Sequence, residues 1–221
     1  MVEIPQSRKE LFRNFRQHER FREIYDRARE YLPFYAARGN LEDFKKDFAG
    51  AVYEDLIYTA LDAATPEGMI LLSPQQTFEF FQDLYPDVPD IHNVFQSSLE
   101  NVSVPDGLLF RLSSGSALIP KAVLEYTLSS KLAKVQRKIE GWQALKDKFP
   151  QLFSNTNYVF VATKTSMEKG YSQRHFQEVN FIYAPFTAGQ FKDYVNSLIA
   201  HYNPNGQGPL ASVLVNNNSS Y

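Results

Sequence analysis

The chain is expected to fold as a single α/β domain with a mixed central β-sheet flanked by helices, and three observations carry that expectation. Apolar spacing switches between the helical and strand periods in the order helix, strand, inserted helix, strand, strand, helix, strand, strand, helix. Two apolar runs, 104–112 and 117–128, flank a Ser-Ser-Gly-Ser turn and read as a hairpin. Two capping boxes, Ser73–Gln76 and Thr187–Gln190, mark helix starts, each with a hydroxyl at the cap and Gln three residues on.

Residues 1–40 are expected to form a helical arm. Phe21, Ile24, Tyr25, Ala28, Tyr31 and Leu32 follow helical spacing, and Pro33 interrupts them. The arm carries many arginines, but acids are interleaved with them. It therefore reads as an amphipathic helix packed on the domain or as an arm that contacts a nucleic-acid backbone. A second helix runs from about Leu41 to Ala64, with Phe44, Phe48, Val52, Leu56, Ile57, Ala60 and Leu61 on one face. Pro66–Gly68 ends it, and 69–72 is a short strand. The helix opened by Ser73 and Pro74 turns Phe78, Phe81 and Tyr85 inward. The segment 86–90 is a loop.

After the hairpin, Ser129 or Ser130 is expected to cap a helix that runs to about Phe149. Leu132, Val135, Ile139, Trp142, Leu145 and Phe149 form its apolar stripe, while Lys131, Lys134, Arg137 and Lys138 lie off it. Lys134 and Lys138 are accordingly expected to be exposed. Residues 157–162 form a short apolar strand suited to the centre of a sheet. Residues 175–185 alternate as a further strand, and the Thr187 box opens a last helix to about Tyr202. Residues 203–221 are rich in Asn, Gly and Ser and are expected to be a loose tail, within which 210–215 could dock. No internal repeat or linker divides the chain.

Composition narrows the function. The 221 residues are 43% hydrophobic and 14% aromatic, enough for one substantial core. Net charge is −2, so any nucleic-acid contact must come from a local basic patch. The chain has no cysteine, hence no disulfide framework and no thiolate zinc site, which suits a cytoplasmic protein. The first residues lack the apolar run of a signal peptide, and no segment reaches the ~18–20 apolar residues of a membrane span. The four histidines, His18, His92, His175 and His201, include no zinc-type pair. No nucleophile elbow or Walker loop is present.

The candidate chemistry lies on the hairpin, where Asp106 and Glu125 stand on neighbouring apolar strands. An ionised carboxylate is costly to bury without a positive partner, and a divalent cation with hard oxygen ligands is one reason to bring two together. The short turn places the two acids on adjacent antiparallel strands.

This order, with acids at these places, resembles the restriction-endonuclease-like superfamily, the PD-(D/E)XK nucleases, over residues 41–164. Their core is helix, three-strand meander, helix, strand. Pro105 and Asp106 match the first motif, Glu125 the second, and Glu54 the acid found on the first helix of many members. The resemblance implies hydrolysis of DNA phosphodiesters, with Asp106, Glu125 and the backbone carbonyl of Tyr126 holding Mg2+ or Mn2+ and Glu54 assisting. It leaves residues 165–202 as an additional strand and helix. The chain departs from the pattern at Thr127, where the family has lysine. Threonine has no cation, and its hydroxyl is too weak a base to replace one. Lys131 and Lys134 are the candidates for a migrated lysine. Lys121, about 13 Å from Glu125 along the strand, is not. Lys134, Arg137 and Lys138 would contact the nucleic-acid backbone, and Asn93, Asn101 and Gln136 are the weak candidates for reading bases. The expected partner is DNA, with a homodimer as a candidate assembly and no membrane. The competing expectation is a nuclease fold that has lost catalysis and binds nucleic acid or a protein. A fold of this kind with no nucleic-acid partner is a third.

Overall fold

A computed structural model describes residues 41–84, 104–113, 117–128, 131–168 and 178–202, together with Phe12, Phe15, residues 22–24, Asp26, Glu30 and Ala37. Of 41–43, 45, 167, 168 and 198–202 it describes the backbone alone. Most of the N-terminal arm, Ser129, Ser130, Asn93, Asn101 and the tail 203–221 lie outside the described residues.

The chain runs α1 (Leu41–Ala63), β1 (Met69–Leu71), α2 (Pro74–Leu84), β2 (Gly107–Leu112), β3 (Leu118–Thr127), α3 (Leu132–Lys148), α4 (Pro150–Phe153), β4 (Asn157–Thr163), α5 (Lys164–Glu168), β5 (Val179–Ala184) and α6 (Ala188–Tyr202). Among the described residues five strands form one sheet in the order β1-β2-β3-β4-β5. The first three are an antiparallel meander, and β4 and β5 then run parallel to β3. The mixed α/β architecture expected from the apolar periods is therefore present.

Local chemistry explains the boundaries. Gly68 ends the turn after α1 at φ 78, in the left-handed region that glycine adopts without a Cβ penalty. At α2, Gln76 N–H donates to Ser73 Oγ and Ser73 N–H donates to Gln76 Oε1. The same reciprocal pair joins Thr187 and Gln190 at α6. Both boxes satisfy helix-start N–H groups that have no intrahelical acceptor. Helix α3 starts differently: its N-cap is Lys131, in extended conformation and without a side-chain cap, rather than Ser129 or Ser130. The Lys131 carbonyl instead accepts from the N–H groups of Lys134 and Val135.

Alternation along the strands divides the core between the two faces of the sheet. Leu109, Leu124, Tyr126 and Val161 pack under α1 and α6, against Phe48, Val52, Leu56, Phe191 and Val195. Leu108, Phe110, Val123 and Phe160 pack under α2, α3 and α4, against Phe81, Val135, Ile139, Trp142 and Phe153. Phe12 and Phe15 join the first cluster, where the Phe12 ring stacks on Tyr194 at 3.9 Å. In α3 the apolar stripe is buried from Val135 to Leu145, with Phe149 partly buried as the C-cap, but Leu132, expected inside, is 42% exposed in the first turn, before the helix comes down onto the sheet. The register of β2 on β3 shifts between Leu109 and Phe110, opposite Ala122 and Pro120, so Lys121 is the extra residue. A bulge is where a central strand tolerates a proline that cannot donate to the ladder.

Candidate active site

The site forms where β2 begins and β3 ends. Gly107 pairs with Leu124, and one step further Asp106 N–H donates to the Leu124 carbonyl at 3.1 Å. The ladder stops there. The Asp106 side chain takes over, and its Oδ2 accepts from Tyr126 N–H at 2.6 Å. Because N–H and C=O of one strand residue point to the same side, the Tyr126 carbonyl is also directed toward β2, past its first residue.

Glu125 lies between, on the opposite face of β3 from Tyr126, and is 1% exposed. Lys138, two turns into α3, donates from Nζ to Glu125 Oε2 and, at 3.2 Å, to Asp106 Oδ2. One ammonium thus joins Glu125 of β3 to Asp106, which stands one residue before β2 rather than within the expected strand 104–112. Burial raises the Glu125 carboxyl well above its ordinary range, Lys138 opposes that shift, and Asp106 adds to it. Burial works against the Lys138 charge, but Asp106, Glu125 and Glu54 together hold its pKa above the usual lysine value.

Glu54, on α1, is coupled to the cluster electrostatically. It is half-buried, and its pKa is pushed up to about 8 by burial and by Asp106, with Lys138 pulling the other way and Asp55 adding to the rise. The neighbouring Tyr53 anchors this turn of α1 to the sheet, its Oη donating to the Val161 carbonyl at 3.2 Å.

Two further tyrosines complete the surroundings. Tyr158 on β4 donates to the Lys138 carbonyl at 3.2 Å, and its ring stacks on Trp142 at 5.2 Å and 9°. Burial raises its pKa, and Glu125 and Asp106 raise it further. Tyr126 Oη is buried without a hydrogen-bond partner. It lies so close to Gly107 that a Cβ there would meet it at 2.6 Å, so glycine is what admits the phenol beside Asp106.

The structure therefore brings Asp106, Glu125 and Lys138 together, with Glu54 of α1 and Tyr126 near enough to interact electrostatically with them. Thr127 is buried at the end of β3. Lys131 and Lys134, the expected migrated lysines, are exposed, as are Gln136 and Arg137. Lys138, expected to be exposed, is instead the lysine at the acids, its side chain 34% exposed. The reason is one of level. Glu125 is two residues below the end of β3, about 7 Å at strand rise. Lys138 is six residues below the start of α3, about 9 Å at helical rise, and its side chain leans back toward the helix N-terminus. Lys131 and Lys134 stand above that level. Tyr158 was not singled out by the sequence, because an apolar strand gives no sign that one phenol meets the next helix.

Among the described residues, no three of His, Asp and Glu stand together as a ready-made metal site. No described helix is long and apolar enough to cross a membrane. No protein-family model, curated protein or solved structure matches the chain.

Proposed function

We propose that the chain is a divalent-metal-dependent nuclease that hydrolyses DNA phosphodiester bonds on a restriction-endonuclease-like core. The observation that carries this reading is the convergence of Asp106, at the start of β2, and Glu125 of β3 on one lysine, with Glu54 of α1 coupled to them electrostatically. The order α1, β1, β2, β3, α3, β4, with an antiparallel meander followed by a parallel strand, supports the core. Helix α2 is then an insertion between the first two strands.

The donor set suits a hard cation. Carboxylate oxygens of Asp106 and Glu125 and the directed carbonyl of Tyr126 are the ligand types that magnesium or manganese takes, and the Lys138 ammonium already stands in for a cation between the acids. Those three residues would hold the ion, which when bound lowers the pKa of a water and neutralises charge on a phosphate.

The remaining roles fall to side chains. Lys138, supplied by α3, takes the part of the motif lysine that Thr127 cannot play, offering positive charge to the phosphate. Glu54, with a pKa of about 8, can exchange a proton near neutral pH and suits general acid–base work on the attacking water. Lys134 and Arg137, exposed on α3, contact the backbone of the substrate and carry no sequence information.

The test is incubation of plasmid and single-stranded DNA with Mg2+ or Mn2+. Asp106→Ala and Glu125→Ala should abolish cleavage in a folded protein. Lys138→Met should reduce it by roughly 10²-fold or more. Thr127→Lys should add little, because the charge already arrives from α3. The competing reading, an inactive module that binds nucleic acid or a protein, draws on Thr127. Absence of cleavage by both wild type and Thr127→Lys, with no metal-dependent rise in melting temperature, would select it.

A further inference from the structure

The acid pair is closed around a lysine. Lys138 Nζ bonds to Asp106 Oδ2 and to Glu125 Oε2, oxygens that a divalent cation at this site would need. An ammonium and a divalent cation repel, so a cation entering at these carboxylates weakens the hold of the lysine on them.

The surroundings say which group can move. Glu125's side chain is 2% exposed and that of Asp106 17%, whereas that of Lys138 is 34% exposed and has a route to water. Asp106 is further tied to the Tyr126 N–H at 2.6 Å. The Lys138 main chain is fixed as well, because its carbonyl accepts from Tyr158 at 3.2 Å and α3 packs through Val135, Ile139 and Trp142. Only its four-carbon stem is left to pivot. On the other face of β3, Tyr126 Oη is buried without a partner, pressed against Gly107 next to Asp106.

We propose that Lys138 is the resident counter-ion of the Asp106–Glu125 pair, and that it swings off the pair and yields those oxygens when a divalent cation enters. Its ammonium then faces outward, where a phosphate oxygen would arrive. The lysine keeps the apoprotein's acids neutralised and becomes available to substrate only in the metal-loaded state. This rests on the metal reading of the site.

Two consequences are measurable without turnover. Lys138→Met, of similar length and uncharged, should bind Mg2+ about tenfold more tightly than wild type, since no resident cation has to be displaced. In wild type, the Lys138 environment should change as metal binds. The full-length protein is prepared with 13Cε-labelled lysine, which leaves the ammonium and its three donors unchanged. The Lys138 signal is assigned by its loss in Lys138→Met, and MgCl2 is titrated in. The expected result is a Lys138 shift with the same midpoint as the metal-dependent rise in melting temperature. If melting rises while the Lys138 signal stays still, or Lys138→Met binds Mg2+ no more tightly, the exchange is wrong and the metal reading stands. If Mg2+ stabilises neither protein, both are wrong. Should Lys138→Met fail to fold, Lys138→Arg supplies the assignment and the wild-type titration decides.

Discussion

Helix α3 meets the sheet in two ways within one turn. At Trp142 it stacks flat on Tyr158 and packs against Phe153, in a contact that is apolar on every side. At Lys138, four residues earlier, it reaches across the same tyrosine to two carboxylates. The apolar contact draws its strength from area and tolerates small adjustments. The ionic contact is balanced: each group is costly to bury alone, and the set is stable only while the charges compensate. One helix thus supplies both rigidity and a site held in tension, and Tyr158 belongs to both.

Substitutions should separate the two regions. The largest effect is expected on the apolar side. Trp142 is 4% exposed, and Trp142→Ala should cost about 3–5 kcal/mol in chemical denaturation. A cost near zero would mean that the stacked pair contributes nothing and that the contrast drawn here does not exist.

The ionic side should respond with the opposite sign. Glu54 has its pKa raised from 4.5 to about 8 on folding, so the folded chain holds this proton more tightly than the unfolded one. Its contribution is therefore fully present below pH 4.5 and is lost as pH rises through 8. Glu54→Gln should remove that loss. After allowance for partial exposure, the variant should be more stable than wild type by about 1 kcal/mol at pH 9, and the difference should shrink as the pH is lowered. Melting both proteins across this range checks it, and Glu125, present in both, cancels. A Glu54→Gln protein that is less stable at pH 9 would remove the tension ascribed to the cluster.

The smallest effect should come from a place that belongs to neither region. Thr187 caps α6 through its hydroxyl in an exposed hydrogen bond, and Thr187→Ala should cost about 0.5 kcal/mol at any pH from 5 to 9. A strong pH dependence there would mean that titration is spread through the fold rather than concentrated at the acids.

What the sequence revealed follows the range of the forces involved. Both capping boxes, the hairpin and the strand and helix periods are local, and they appear where residue spacing puts them. The pairing of Asp106 with Glu125 was also legible, because Glu125 is conspicuous inside an apolar strand and the short turn brings the start of β2, where Asp106 stands, beside it. Lys138 was not, because it looks like any other cation on the polar side of α3. Its role depends on how far the helix start stands above the end of β3, a three-dimensional offset with no sequence period. The bulge at Lys121 was hidden for a related reason: Pro120 shows that the ladder is interrupted but not which residue is left over. Leu132 was misplaced because the stripe was extended to the helix start, where α3 has not yet reached the sheet. Tyr158 gave no signal, since a phenol in an apolar strand reads as core until the helix above it is in place.

The central claim is that Asp106 and Glu125 are a divalent-cation site presently bridged by a lysine. A crystal grown with saturating Mn2+, with anomalous differences measured, tests it most directly. The account predicts an anomalous peak bound by Asp106, Glu125 and the Tyr126 carbonyl, with Lys138 turned away from both acids. No peak there, with Lys138 still bonded to Asp106 and Glu125, would contradict it.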